Sequence, residues 1–337
     1  MGYGVDMKAF QVINPGILTT IQDLGRAGYM KYGIPRSGAA DRFSAQVANW
    51  LVGNSSQAAL LEITLFRLEL LALNNLEIAI TGANLLPHLN GQPISMWENV
   101  HLKRGDHLVF KGRKSGLRAY LAVRGGFSGP EFLGSRSVFS RGLMGEPLKA
   151  GDILEVAEIK IKQEEKRYLP ADLIPAYSHK DSLRVILGPQ EDRFTPEGIK
   201  TFLSSVYHVS AQSDRMGYRL EGPKIEHLRG ADIISEPIAQ GAIQVPGDGL
   251  PIILLWDAQV SGGYTKIASV ISAELNYLAQ VMPGDKLKFQ EVDLAEAHEA
   301  LKREKAILQE IKKDSEHSLT LLNSFTNEGQ GKIMGRK

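Results

Sequence analysis

Apolar residues in this chain come in short runs closed by turn formers. "LEIAITGANLLPHLNG", "HLKRGDHLVF" and "RAYLAVRGGF" read as strands separated by Gly-, Pro- and Asn-containing turns. One pattern recurs: "LKRGDHLVF" at 102–110, "LKAGDILEV" at 148–156 and "VMPGDKLKF" at 281–289. Each is a Gly-Asp turn followed by alternating apolar positions. Gly supplies the positive φ of a tight turn, Asp is expected to bond the backbone just beyond it, and the alternation makes one strand face apolar. Two copies near the end of the first half and one near the end of the second suggest related β-rich halves, although Gly-Asp turns are common in β proteins.

Helical patterns are few. "DRFSAQVANWLVGN" places Phe43, Val47, Trp50 and Leu51 on one face, with Asp41 near its start and Gly53 after it. "SVISAELNYLAQ" places Ile271, Leu275 and Leu278 on another. Residues 157–181 are charged and then Pro-containing, as a linker is. The expected fold class is mainly β with few helices: a first β-barrel-like subdomain at 1–157, a linker at 158–181 and a second at 182–293. The rest, 294–337, reads as a charged helix running into a polar tail expected to be disordered. Closed or nearly closed barrels suit many short strands, whose edges must be hidden.

Composition narrows the function. The 337 residues carry 39 basic and 38 acidic side chains, so no global field draws nucleic acid or an anionic membrane. There is no cysteine, which excludes thiolate catalysis and Cys-ligated metals and fits a reducing compartment. No secretory signal and no spanning helix is legible, so a cytoplasmic location is expected. There is no P-loop, no dinucleotide fingerprint, no H-E-x-x-H and no G-x-S-x-G. His101 and His107 lie across a turn, but two histidines are too few for a metal site, and none is expected.

Four polar constellations remain. In "TTIQDLGRAGYMKYGIPRSGAAD", Gln22, Asp23 and Arg26 offer an amide, an acid and a donor fork. They can serve a ligand, or Asp23 and Arg26 can brace the loop as a pair. In "LEIT", Glu62 sits in an apolar run, and alternation favours an exposed face over a paired, buried acid. In "SDRMGYRLEG", Arg215 and Arg219 share a strand face and need an anion between them, either a protein carboxylate such as Asp214 or Glu221 or a substrate. In "SEPIAQGAIQVPGDGLPIILLWDAQVSGGY", Asp257 and Gln259 share a face if the strand continues. Gly262 and Gly263 then admit a ligand or form an anion nest, and Tyr264 adds a hydroxyl. The alternative is a strand ending in a Gly-Gly turn.

The ordered series "TTIQDLGRAGY…GIPRSGAAD", "LEIT", "TGAN", "RAYLAVRGGF", "LGSRS", "LKAGDIL", "GPQEDRFT", "SDRMGYRLEG", "ISEPIAQGAIQVPGDGLPIILL", "DAQVSGGY" and "LAQVMPGDKLKF" resembles the biotin-dependent carboxyltransferase family. That group includes the C component of 5-oxoprolinase (KipA), second-subunit homologues of allophanate hydrolase and half of the urea carboxylase carboxyltransferase domain. The resemblance implies two barrels of cyclophilin-like topology. It implies work beside partner subunits A and B (the latter KipI-like), with ATP as co-substrate, magnesium delivered with it, and a small-molecule substrate. No biotin is expected on this chain, which lacks an Ala-Met-Lys-Met motif. A 5-oxoprolinase opens the lactam of 5-oxoproline to glutamate. The family also allows a regulatory KipA-like interaction protein or a carboxyltransferase served by biotin on another protein. On the lactam reading, catalytic roles are expected at Asp257, Gln259, Tyr264 and Arg215. Substrate contacts are expected at Arg219, Gln244, Ser261, Gly262, Gly263, Gln22, Asp23 and Arg26. Where family members tend to have threonines after D-x-Q, this chain has Val260 and Ser261.

Overall fold

The computed structural model describes residues 6–158, 166–177, 180 and 182–316. The expected tail beyond 316 lies outside them, as do residues 159–165, 178, 179 and 181 of the expected linker. The first half contains β1 (Asp6–Pro15), β2 (Leu18–Gln22), α1 (Arg42–Leu51), β3 (Leu60–Thr64), β4 (Leu68–Ala72), β5 (Leu76–Asn84) and β6 (Pro87–Leu89). It continues with β7 (Gln92–Pro93), β8 (Asn99–Leu102), β9 (His107–Phe110), β10 (Ser115–Val123) and β11 (Ile153–Ala157). These strands form a six-stranded sheet, β11-β1-β4-β9-β6-β7, and a five-stranded sheet, β2-β3-β10-β5-β8. Phe10, Leu61, Leu70, Ile78, Leu108 and Leu121 fill the space between the two.

The second half contains β12 (Leu183–Leu187), α2 (Pro196–Ser204), β13 (Tyr207–Val209), β14 (Gly217–Glu221), β15 (Asp232–Pro237), β16 (Ala242–Gln244) and β17 (Ile252–Leu254). Then come β18 (Ser261–Tyr264), β19 (Lys266–Val270), α3 (Leu275–Leu278), β20 (Lys286–Leu287), β21 (Phe289–Glu291) and α4 (Leu294–Glu316). Eight of its strands make one sheet, β20-β13-β14-β17-β16-β19-β12-β21. It wraps a core that includes Val185, Phe202, Tyr207, Ile243, Ile253 and Phe289. β15 and β18 stand apart as a two-stranded ribbon. The chain is thus mainly β, built of two barrel-like units.

The run "LRAYLAV" shows why β10 lacks an exposed face. Ala119, Leu121 and Val123 face the first core, while Tyr120 and Ala122 face α1. A strand buried on both faces loses its alternation. Asp41 caps α1 by accepting from Ser44 N at 2.9 Å. The stretch read as a helix from Ser269 is in fact a strand end, a 3-10 turn and the short α3. The helix α2, capped by Thr195 with Pro196 at its first turn, lies outside the helical patterns read from the sequence.

The three Gly-Asp turns share one bonding pattern. Gly105, Gly151 and Gly284 all have φ near +90° with open space where a Cβ would stand. Asp106, Asp152 and Asp285 each accept from the amide three residues upstream, at 2.7, 2.8 and 3.0 Å. The aspartate therefore ties the turn back on itself and does not reach forward. Equivalent turns in both halves support the reading of related units.

α4 lies across both units instead of trailing from the second. Leu308 and Ile311 pack toward α1, and Ala297 packs on Ile271 and Val292. Asn276 of α3 adds a polar tie, accepting from Arg42 N at 2.9 Å at the open end of α1.

Among the described residues, the second core holds one unpaired hydroxyl, that of Tyr207, whose pKa is pushed up to about 12 by burial. Below pH 10 the group is neutral whether the chain is folded or not. Between about 10 and 12 the unfolded chain ionises first, so stability falls. Tyr207→Phe is expected to be neutral or stabilising at pH 8, and to remove roughly 2 kcal/mol of the alkaline loss at pH 11.5. Urea titrations of both proteins at pH 8 and 11.5 measure this.

Candidate functional site

Arg215 sits in the turn before β14, where the two units meet. Its Nε donates to Asp257 Oδ2 at 2.8 Å and its Nη2 to Gly38 O at 2.7 Å, while Nη1 pairs with Glu62 Oε1. Glu62 comes from β3 of the first unit, and Asp257 from the turn after β17 of the second. Glu62 is 1% exposed, so the expectation of an exposed acid is corrected. An acid in an apolar strand is tolerable here because every side of it is bonded. Its Oε2 accepts from Ala40 N at 2.8 Å and from the Tyr120 hydroxyl at 2.9 Å, and Arg118 Nε lies 3.6 Å from Oε1.

A second layer surrounds this group. Ser37 donates to Asp257 Oδ1 at 2.6 Å. The Arg118 guanidinium donates to the Tyr218 hydroxyl at 3.0 Å and to Ala279 O, both in the second unit. Gln280 accepts from Leu117 N and Arg118 N, each at 2.9 Å. Its amide nitrogen donates to Asp41 Oδ2 at 2.9 Å and Arg118 O at 3.0 Å. Burial works to lower the Arg215 pKa, but Glu62 and then Asp257 outweigh it, so the guanidinium is held more firmly charged than in water. Tyr120 is raised well above its ordinary value by burial and by the carboxylates of Glu62 and Asp41, and stays a neutral donor.

The expected site residues separate into groups. Arg215 and Asp257 meet, and the anion that Arg215 needed is supplied by Glu62 and Asp257, not by Asp214 or Glu221. With its donors so committed, Arg215 is a brace, not an anion receptor. Arg219 does not share its face: it is exposed in β14 opposite Ile252, because Arg215 precedes the strand and the alternation assumed for the pair does not hold. Asp257 and Gln259 do not share a face either. β17 ends at Leu254, Asp257 turns into the seam, and Gln259 is exposed. Gly262 and Gly263 form neither nest nor turn but lie extended in β18, paired with β15. A Cβ on Gly262 would stand 2.6 Å from Ile238 Cδ1 and 2.9 Å from Gln244 Nε2, so both side-chain ends would have to move aside. Ser261 and Tyr264 are exposed on the same ribbon, and the buried Gln244 reaches Tyr264 O at 3.4 Å.

The first constellation lies beside the seam. Asp23 is fully engaged: Gly25 N, Ser135 Oγ, Ser137 Oγ and Arg136 N all donate to it, at 2.5–2.7 Å. It forms no ion pair with Arg26 among the described residues, so the expected Asp–Arg brace is replaced by a brace of the 135–137 segment. Arg26, 1% exposed, donates through Nη2 to Ser137 O. Burial lowers its pKa, opposed by the fields of Asp23 and then Asp257. Gln22 is buried as well and donates to Thr20 Oγ1 at 3.0 Å and Val138 O at 3.2 Å.

Sequence reasoning missed Arg118, Tyr120, Ser37 and Gln280. The signal was present only as polar residues in apolar stretches ("LRAYLAV", "LNYLAQV"), which does not say what they would meet. Clefts of about 430 and 600 Å³ lie along α4, lined by Tyr177, Asn276 and Glu304 and by Arg184, Glu299 and Arg303 respectively, and no expected site residue lines either. Among the described residues no group of three His, Asp or Glu is placed to hold a metal.

Comparison with known proteins fits this two-unit architecture. The family model for the carboxyltransferase domain, subdomains A and B, matches residues 32–291. The chain belongs to this family. The carboxyltransferase-domain chain is 34% identical to the C component of the 5-oxoprolinase of Escherichia coli K12 over 305 residues, which is 89% of this chain and 97% of that one. Its fold superposes on the urea amidolyase of K. lactis with a TM-score of 0.85 at 34% identity, covering 93% of this chain and 20% of that one. It also superposes on TTHA0988 with a TM-score of 0.78 at 36% identity, covering 84% of this chain and 55% of that one. The chain thus spans about half of one solved relative and a fifth of the other.

Removing the Gln280 amide leaves two backbone N–H groups and Asp41 short of partners. Gln280→Leu is expected to destabilise the chain by about 2–4 kcal/mol, read from the midpoint of urea denaturation.

Proposed function

We propose that this chain is the C component of an ATP-dependent 5-oxoprolinase, active beside subunits A and B in opening 5-oxoproline to L-glutamate. The observation that carries the reading is extent. The match runs at 34% identity over 97% of the E. coli protein, so almost the whole of that component has its counterpart in this chain. A lactam is a resonance-stabilised amide. Opening it requires groups that orient the ring and others that activate its carbonyl oxygen. A buried, hydrogen-bonded seam between two barrels suits the first task. The second draws on ATP chemistry. This chain has no P-loop. Phosphoryl transfer is therefore not assigned to it.

A second reading follows from the family match itself: a carboxyltransferase served by biotin on another protein. Reconstitution separates the two. The purified chain mixed with subunits A and B is expected to hydrolyse ATP only when 5-oxoproline is present, and each component alone is expected to be inactive. A stable complex that never couples ATP hydrolysis to 5-oxoproline overturns the proposal. Transfer of a carboxyl group from carboxybiotin would put the second reading in its place.

A further inference from the structure

The clefts of about 430 and 600 Å³ along α4 adjoin one another. Both have Phe43, Ala273 and Glu304 in their walls. Volumes of this order hold small organic molecules. No member of the Arg215 group lines either cleft, so this place is separate from the seam between the barrels.

Glu304 is the one charged side chain common to both clefts. Asn276 Nδ2 donates to its Oε1, while Oε2 has no partner among the described residues. Burial pushes this carboxyl above its usual range, opposed first by the Asn276 hydrogen bond. The cations around it are committed elsewhere. Lys180 Nζ and Arg184 Nε both pair with the buried Glu274, Arg184 at 2.6 Å. Arg303 Nε lies 3.4 Å from Glu299. Together with Glu274, the lining holds three cations (Lys180, Arg184 and Arg303) against four carboxylates (Glu274, Glu296, Glu299 and Glu304), which leaves one negative charge in excess.

The walls beside Glu304 are aromatic, and their polar ends are spent. The Tyr177 hydroxyl donates to Asp41 Oδ2 at 2.8 Å, and the Tyr277 hydroxyl accepts from Lys180 N at 3.0 Å. Lys180 Nζ already covers one face of the Tyr277 ring, 5.5 Å from its centroid. Phe43 and Tyr177 are left to offer ring carbon. A carboxylate without a countercharge beside aromatic carbon complements a protonated amine: the N–H groups suit the acid, and the carbon body suits the rings. We propose that the joined clefts bind a small primary ammonium compound, with its N–H on Glu304 Oε2 and its carbon body against Phe43 and Tyr177. An anion of the same shape meets like charge at Glu304, and a neutral one leaves the acid without a countercharge. Such a ligand bridges α4, which carries Glu304, and α1, which carries Phe43. The site does not depend on the 5-oxoproline reading.

The competing role for Glu304 is purely structural, a tie from α4 to Asn276. Glu304→Gln separates the two, because glutamine keeps an oxygen for Asn276 and loses the charge. Ligand-observed NMR titration of the full chain at neutral pH, which reads weak binding, compares n-butylamine with butyrate and 1-butanol. n-Butylamine is expected to bind at least about tenfold more tightly than either. Glu304→Gln is expected to lose at least about tenfold in n-butylamine affinity with little change in the urea midpoint. Ala176→Trp, at an exposed position on the first cleft, is expected to obstruct the site and weaken binding to a similar extent. If Glu304→Gln does not fold, by circular dichroism, Ala176→Trp carries the test. No binding of n-butylamine, binding no tighter than that of 1-butanol, or folded variants that bind it like the parent chain each overturn the proposal.

Discussion

A guanidinium taken out of water must find its countercharges where it stops, and removing one partner of such a buried pair typically costs about 3–5 kcal/mol. Arg215 stops between Glu62 from one barrel and Asp257 from the other, with Gly38 O closing the set. The ion group therefore works as a register mark. It is satisfied only when β3, the turn after β17 and the loop through Gly38 are all in place. Arg118 and Gln280 repeat the arrangement from opposite sides, one reaching from the first unit into the second and the other back again. Asn276 does the same at the end of α1.

The neighbouring loop is tied to this seam. Ser37 leaves the Arg26–Arg36 loop to bond Asp257, so the loop's neck and the ion group share one wall. The electrostatics point the same way. The acids of the seam raise Arg215, and Asp23 and Asp257 oppose the loss of charge at Arg26. Tyr120, kept neutral, spends its hydroxyl on Glu62 and on the amide of Asp41 at 2.7 Å.

Fold class was legible because its causes are local. Gly-Asp turns need glycine at positive φ, and alternating apolar positions make half-buried strands, so residues 102–110, 148–156 and 281–289 declared themselves. α1 was legible through Asp41 and its apolar face. The site was legible only in part, because its causes are not local. Arg215 and Asp257 stood out as charges in apolar company, but Glu62 and Tyr120 are separated from them by more than 90 residues of chain, and period-two counting gave the wrong answer for Glu62, Arg219 and Gln259. In each case the strand ended, or was covered on its second face, where the pattern assumed that it went on. The family resemblance named the right stretches without saying which side chains within them face one another.

The two barrels are coupled through Arg215, and a double-mutant cycle between Glu62→Gln and Arg215→Gln measures that coupling directly. The stabilities of the parent, both single variants and the double variant are compared by urea denaturation. The expected result is a double variant less destabilised than the sum of the singles by about 1.5–3 kcal/mol. Additivity within about 0.5 kcal/mol would show that the pair is incidental, and that something other than this ion group sets how the barrels meet.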